Sequence, residues 1–241
     1  MKPMIRFRAT HGIVPALDMD DLDVMRRVVE QTSRVDGVVG FKVGLTAVLR
    51  LGLAGAVKHL RAATDLPLIY DHQKAGPDVP DMAQKFAATC RAAGVDGLIL
   101  FPVAGPRAVR EFVGRALEHR LTPLVGGELP LPDDTVAGGG FIADDALARI
   151  FALALALGAT AFVVPANDPA KVKRHAEALT ATLARPSLFM PGIGALGGSI
   201  AATFREAPGC DLYAVVGRAI YADRDPLEAA KRLAGDALRF A

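Results

Sequence analysis

Five charged residues have types and spacing that could carry chemistry: Asp18, Lys42, Asp71, Lys74 and Asp78. Lys42 lies inside the apolar run Phe41-Lys42-Val43-Gly44. An unpaired ammonium there is costly to bury, so it requires carboxylate partners. Asp18, closing Ala16-Leu17-Asp18, and Asp71, opening Asp71-His72-Gln73-Lys74, are the nearest candidates, and Lys74 and Asp78 extend the alternation of sign. Such a network suits a reaction in which negative charge develops on carbon. The ammonium stabilises the carbanion and can supply its proton. A fixed carboxylate facing a substrate carboxylate would disfavour the bound ground state. The competing reading is an ion-pair ring that only ties strand ends together, because structural networks perturb charged groups as well.

A second set of residues suits an anion. The segment Pro191-Gly192-Ile193-Gly194-Ala195-Leu196-Gly197-Gly198-Ser199 precedes a helical pattern, and Gly217-Arg218 follows an apolar run. Gly192, Gly197, Gly198 and Gly217 allow the backbone close to a phosphate, a helix start offers N–H groups, and Arg218 adds a bidentate guanidinium. Tight turns and a surface arginine are the plainer reading of the same residues.

These groups need elements to position them. Short runs rich in apolar and β-branched residues fall at 13–18, 38–44, 66–70, 97–103, 123–127, 161–165, 187–190 and 212–217. Helical patterns fall between and after them, at 20–35, 48–63, 79–93, 106–119, 143–157, 169–184, 199–206 and 226–240. Eight strands alternating with eight helices predict an α/β fold, a (β/α)8 TIM barrel occupying 1–241 as one domain, with 1–11 as an N-terminal arm. An open doubly wound sheet is disfavoured, because the first strand ends in Ala16-Leu17-Asp18 and not in a glycine-rich loop. In a barrel the chemistry sits at the C-terminal strand ends, and all ten residues singled out above fall at or just beyond such ends.

Bulk properties agree. At 241 residues the chain can bury a large core, and 51% hydrophobic with 22% charged residues is an ordinary globular balance. A formal charge of +2 creates no field favouring nucleic acid or an anionic membrane. The most apolar stretch, 151–164, is interrupted by Gly158 and is too short to span a bilayer. The N-terminus has basic residues but no apolar signal core. Cys90 and Cys210 lack metal-ligand spacing and read as buried thiols, which suits a cytoplasmic location. The histidines show no i, i+4 metal pair, so no metal site is expected.

Taken together, Ala16-Leu17-Asp18, Phe41-Lys42-Val43-Gly44, the Asp71 to Pro80 segment, Pro191-Gly192-Ile193 and Gly217-Arg218-Ala219-Ile220 resemble the motifs of the orotidine 5'-phosphate decarboxylase family. The resemblance implies that Asp18 binds the ribose and that Lys42 belongs to the charged network. It implies that Asp71 opposes the substrate carboxylate and that Lys74 protonates the carbanion. Asp78 would reach across a homodimer interface, and the two glycine segments with Arg218 would hold the phosphate of a nucleotide monophosphate. The implied reaction converts orotidine monophosphate to uridine monophosphate and carbon dioxide, in de novo pyrimidine biosynthesis, with no metal or cofactor.

This chain departs from that pattern. Its third motif reads Asp-x-x-Lys-x-x-x-Asp-Val-Pro, one residue longer in each gap than the family form. Residues three apart on a regular strand face opposite ways, so Asp71 and Lys74 converge only where the strand has ended or bulged. Asp81-Met82 stand where the family carries a Thr. Glu128-Leu129-Pro130-Leu131-Pro132 follows the fifth strand, where the family carries a pyrimidine-contacting Ser or Thr. Glu128 is open to ligand contact or to pairing with a nearby Arg. His72 alternates with Asp71 and points toward the helix layer, and Asn167 is a modest ligand candidate. The altered spacing leaves two alternatives: a Mg-dependent sugar-phosphate lyase or aldolase of the hexulose-phosphate synthase type, and a non-catalytic phosphate-ligand binder.

Overall fold

A computed structural model describes residues 5, 7–72, 78–194 and 197–241. Eight parallel strands pair in sequence order: β1 (His11–Leu17), β2 (Phe41–Val43), β3 (Leu68–Asp71), β4 (Gly97–Leu100), β5 (Thr122–Val125), β6 (Ala161–Val163), β7 (Ser187–Pro191) and β8 (Asp211–Val216). β8 pairs back onto β1, so the sheet is a closed barrel. The surrounding helices are α1 (Leu22–Thr32), α2 (Leu45–Arg61), α3 (Ala83–Ala93), α4 (Pro106–Glu118), α5 (Ala146–Ala156), α6 (Pro169–Thr180), α7 (Ile200–Phe204), α8 (Arg218–Tyr221) and α9 (Pro226–Leu238).

The two-residue period of each strand sorts side chains into two cores. Ile13, Leu17, Phe41, Val43, Leu98, Phe162, Leu188 and Val216 face the helices. Val14, Ala16, Val39, Ile69, Ile99, Leu124, Ala161, Val163, Phe189, Tyr213 and Val215 fill the barrel itself. Strands apolar on both faces are what a helix-covered parallel sheet requires.

The sequence expectation holds for fold class and for all eight strands, with ends displaced by up to three residues. Three differences stand out. The described residues contain a ninth helix, because α8 forms directly after Gly217. Helix α2 begins three residues earlier than its apolar pattern and is broken at Gly52, where φ is +69°. The third concerns the N-terminal arm, whose described residues pack onto the barrel. His11 already belongs to β1, and Phe7 packs into the lower end of the barrel against Phe189 and Tyr213, with ring centroids 5.5 and 4.7 Å away. The Tyr213 hydroxyl donates to the Ala9 carbonyl at 3.0 Å, and the Ile5 N–H donates to Thr122 Oγ1 at 2.9 Å. Ile5 and Phe7 thus form a stopper beneath the interior core.

Candidate active site

Strand register places the charged cluster. Ala16 pairs with Lys42, and Lys42 with Ile69. Ala16 and Ile69 face the interior, so Lys42 does too. Asp18 and Asp71 lie two residues beyond Ala16 and Ile69 and share their face. The three side chains meet above the apolar core: Lys42 Nζ donates to Asp18 Oδ1 at 2.8 Å and to Asp71 Oδ2 at 2.5 Å. The Lys42 and Asp71 side chains are 6% and 0% exposed, whereas Asp18 is 28% exposed and opens the cluster to solvent. Burial alone would lower the Lys42 pKa. The Asp71 and Asp18 carboxylates outweigh it and hold the ammonium above its ordinary value. Gly44 makes the arrangement possible, since a Cβ there would collide with the Asp18 carboxylate.

The cluster forms one wall of a cleft of about 340 Å³ at the C-terminal end of the barrel. Gly192, Ile193, Gly217, Arg218 and Tyr221 line it from beyond β7 and β8, and Leu129, Pro130 and Leu131 lean in from beyond β5. That volume suits a small molecule. Arg218 is exposed at the start of α8 and has no carboxylate partner among the described residues. Ile220 and Tyr221 donate their N–H groups to the Gly217 carbonyl at 2.9 and 3.2 Å, which leaves those of Arg218 and Ala219 beside the guanidinium at the helix start. The loop after strand 7 and a short extra helix after strand 8 form the recurrent phosphate site of this fold.

The structure unites Asp18, Lys42, Asp71, Gly192, Gly217 and Arg218 in one cleft, whereas Asp78, Gly197 and Gly198 are not among the described residues that line it. Gly197 and Gly198 stand behind it, among the described residues, with their N–H groups spent inside the loop. Gly197 donates to the Gly194 carbonyl at 2.9 Å and Gly198 to the Gly192 carbonyl at 3.0 Å. They shape the loop and leave Gly192, at φ +100°, as the glycine facing the cleft. Asp78 is exposed, accepts the Val79 N–H at 2.7 Å, and borders a small side pocket with His72, Phe101 and Phe112. Lys74 lies outside the described residues.

The secondary candidates resolve as follows. His72 turns into the helix layer, its ring 4.3 Å from that of Phe86, with Nδ1 3.1 Å from the Tyr70 hydroxyl. Burial lowers its pKa below the ordinary histidine value. Asn167 is exposed and does not line the cleft. Glu128 is buried and pairs with Lys171, not with an arginine. Tyr221, Gly44 and the 129–131 wall were missed from the sequence. Tyr221 had a usable signal, since it stands one helical turn after Arg218.

Among the described residues no group of three or more His, Cys, Asp or Glu could hold a metal ion, and no helix is long and apolar enough to cross a membrane. Fold and cleft together define a (β/α)8 barrel with a buried cation–carboxylate cluster that shares its cleft with Arg218 and the glycines beyond β7 and β8. The chain belongs to the Orotidine 5'-phosphate decarboxylase / HUMPS family, whose model matches residues 12–233. It is 32% identical over 221 residues to an orotidine 5'-phosphate decarboxylase of Methanococcoides burtonii, covering 92% of this chain and 94% of that one. It is 30% identical over 223 residues to that of Methanosarcina acetivorans, covering 92% of each. Among solved structures it is similar to orotidine 5'-monophosphate decarboxylase from Methanocaldococcus jannaschii complexed with inhibitor BMP, with a TM-score of 0.81 and 25% identity, covering 94% of this chain and 98% of the other.

Proposed function

We propose that this chain decarboxylates orotidine monophosphate to uridine monophosphate and carbon dioxide, a step of de novo pyrimidine biosynthesis, without a cofactor. The observation that carries this reading is the Lys42 ammonium clamped between Asp18 and Asp71, in one cleft with Arg218, which has no carboxylate partner among the described residues. With the substrate phosphate against Arg218, Gly217 and Gly192, the ring end reaches the charged wall. Asp71 faces the carboxylate that departs, Lys42 stabilises the carbanion, and Asp18 holds Lys42 and meets the ribose. Lys74, by its place in the motif, supplies the proton to carbon. Asp78, outside its own chain's cleft, completes the site of a second copy in a homodimer. The names of the relatives support the same reaction.

The test is ultraviolet-monitored turnover of orotidine monophosphate with and without EDTA. Turnover that survives EDTA is expected. Activity abolished by EDTA and restored by Mg2+, on a sugar phosphate instead, would favour the hexulose-phosphate synthase type of lyase. For the shared site, inactive Lys74→Ala and Asp78→Ala proteins should regain activity when mixed. No recovery after verified subunit exchange would refute it.

A further inference from the structure

Glu128 is a buried carboxylate that the proposed reaction does not use. It stands three residues beyond β5, and its Oε1 accepts from Lys171 Nζ on the first turn of α6. Lys171 is held in turn, because Asp168 caps α6 by accepting the Ala170 and Lys171 N–H groups at 2.9 and 3.1 Å. The pair therefore ties the end of the fifth strand to the helix that follows the sixth.

The three residues after Glu128 are the ones that enter the cleft. Leu129 donates its N–H to Asp134 Oδ2 at 3.0 Å, which closes the turn behind them. Pro130 meets the loop after β7, where a Cβ on Gly192 would lie 3.3 Å from Pro130 Cβ. Residues 129–131 are thus a strap running from the β5 end to the β7 loop. It bears no side chain able to hydrogen-bond. Its contribution to a ligand is shape and the exclusion of water, and that contribution depends on its being rigid beforehand.

We infer that the Glu128–Lys171 pair is a positioning latch that preorganises this strap against the ring end of the nucleotide, an inference that rests on the nucleotide reading above. Removing the latch leaves two or three side chains to be ordered at each binding event, which costs about tenfold or more in affinity. The loss is confined to ligands long enough to reach the strap. Phosphate-end ligands, held at Arg218, are spared.

The experiment compares uridine monophosphate and ribose 5-phosphate binding by calorimetry in wild type, Lys171→Met, Lys171→Arg and the doubly neutral Glu128→Gln/Lys171→Met. The double variant leaves no unpaired buried charge, so it tests the latch even where Lys171→Met folds poorly. Both neutralising variants should lose uridine monophosphate affinity and raise KM with kcat nearly unchanged. Ribose 5-phosphate should bind as to wild type, and Lys171→Arg should be close to wild type throughout. Unchanged uridine monophosphate affinity in the folded double variant overturns the latch. So does a parallel loss for both ligands, which marks a general structural role. Failure of the wild type to turn over orotidine monophosphate refutes the proposed function instead.

Discussion

Replacing Lys42 with Met keeps the aliphatic stem that packs in the barrel and removes only the charge. The Lys42 and Asp71 side chains are 6% and 0% exposed and 2.5 Å apart, so the substitution strips a buried carboxylate of a close cation. Breaking such a pair from one side costs about 3–5 kcal/mol, and the opening of the cleft at Asp18 puts the value near the lower end, about 3 kcal/mol. For a chain of this length each kcal/mol moves Tm by about 2–4 °C, so Lys42→Met should melt about 6–12 °C below wild type. The pH matters to the comparison. The folded Lys42 pKa is raised, because its two carboxylates outweigh burial. A raised pKa contributes stability that is complete below the unfolded value, about 10.4, and is lost as pH rises through the folded value. Calorimetric melts at pH 7 therefore measure all of it. The double variant Lys42→Met/Asp71→Asn removes both charges and should recover part of the loss, with coupling of about 0.5–3 kcal/mol. A Lys42→Met protein melting within about 2 °C of wild type, or purely additive losses in the double variant, would refute the view that these charges depend on one another. On the proposed reaction, Lys42→Met should lower kcat about 10²–10³-fold.

Other outcomes follow from named groups. His175 packs against Phe151 in the groove between α5 and α6, and burial lowers its pKa to about 4. The unfolded chain takes up that proton near pH 6.5, so stability should fall between pH 6.5 and 4, by up to about 2 kcal/mol once partial exposure is allowed for. His175→Leu should flatten that part of the denaturation-versus-pH curve, and an unchanged acid limb would count against it. Phe7→Ala should cost about 2–3 kcal/mol in chemical denaturation, because the ring fills the lower barrel end. Burial pushes the Cys90 thiol up to about 12 and the Cys210 thiol up to about 11, so both should resist alkylation at pH 8 until the chain is unfolded. Rapid labelling of native protein would contradict this.

The barrel was readable because its physics is local. Each strand is a short apolar run and each helix an amphipathic one, so their order alone specifies eight βα units. Lys42 was readable for a related reason: a cation in a strand apolar on both sides must find carboxylates, and the adjoining strand ends held Asp18 and Asp71. What escaped depends on contacts far apart in sequence. Nothing near Glu128 announces Lys171, 43 residues later and on another helix. The glycines after β7 read as phosphate donors because their freedom is visible in sequence, whereas the bonds that use up the Gly197 and Gly198 N–H groups exist only in the folded loop. Helix α8, of four residues, is too short to carry a period.

The stopper beneath the barrel has a bearing on traffic. With Ile5 and Phe7 seated below a packed interior, the described residues give the vessel a floor, and the cleft opens at the other end. A ligand that enters by this cleft passes the strap and Arg218. On the proposed reaction, a small neutral product formed deep at Asp71 would stand behind the larger molecule anchored at the rim, so the architecture would form a queue for departure.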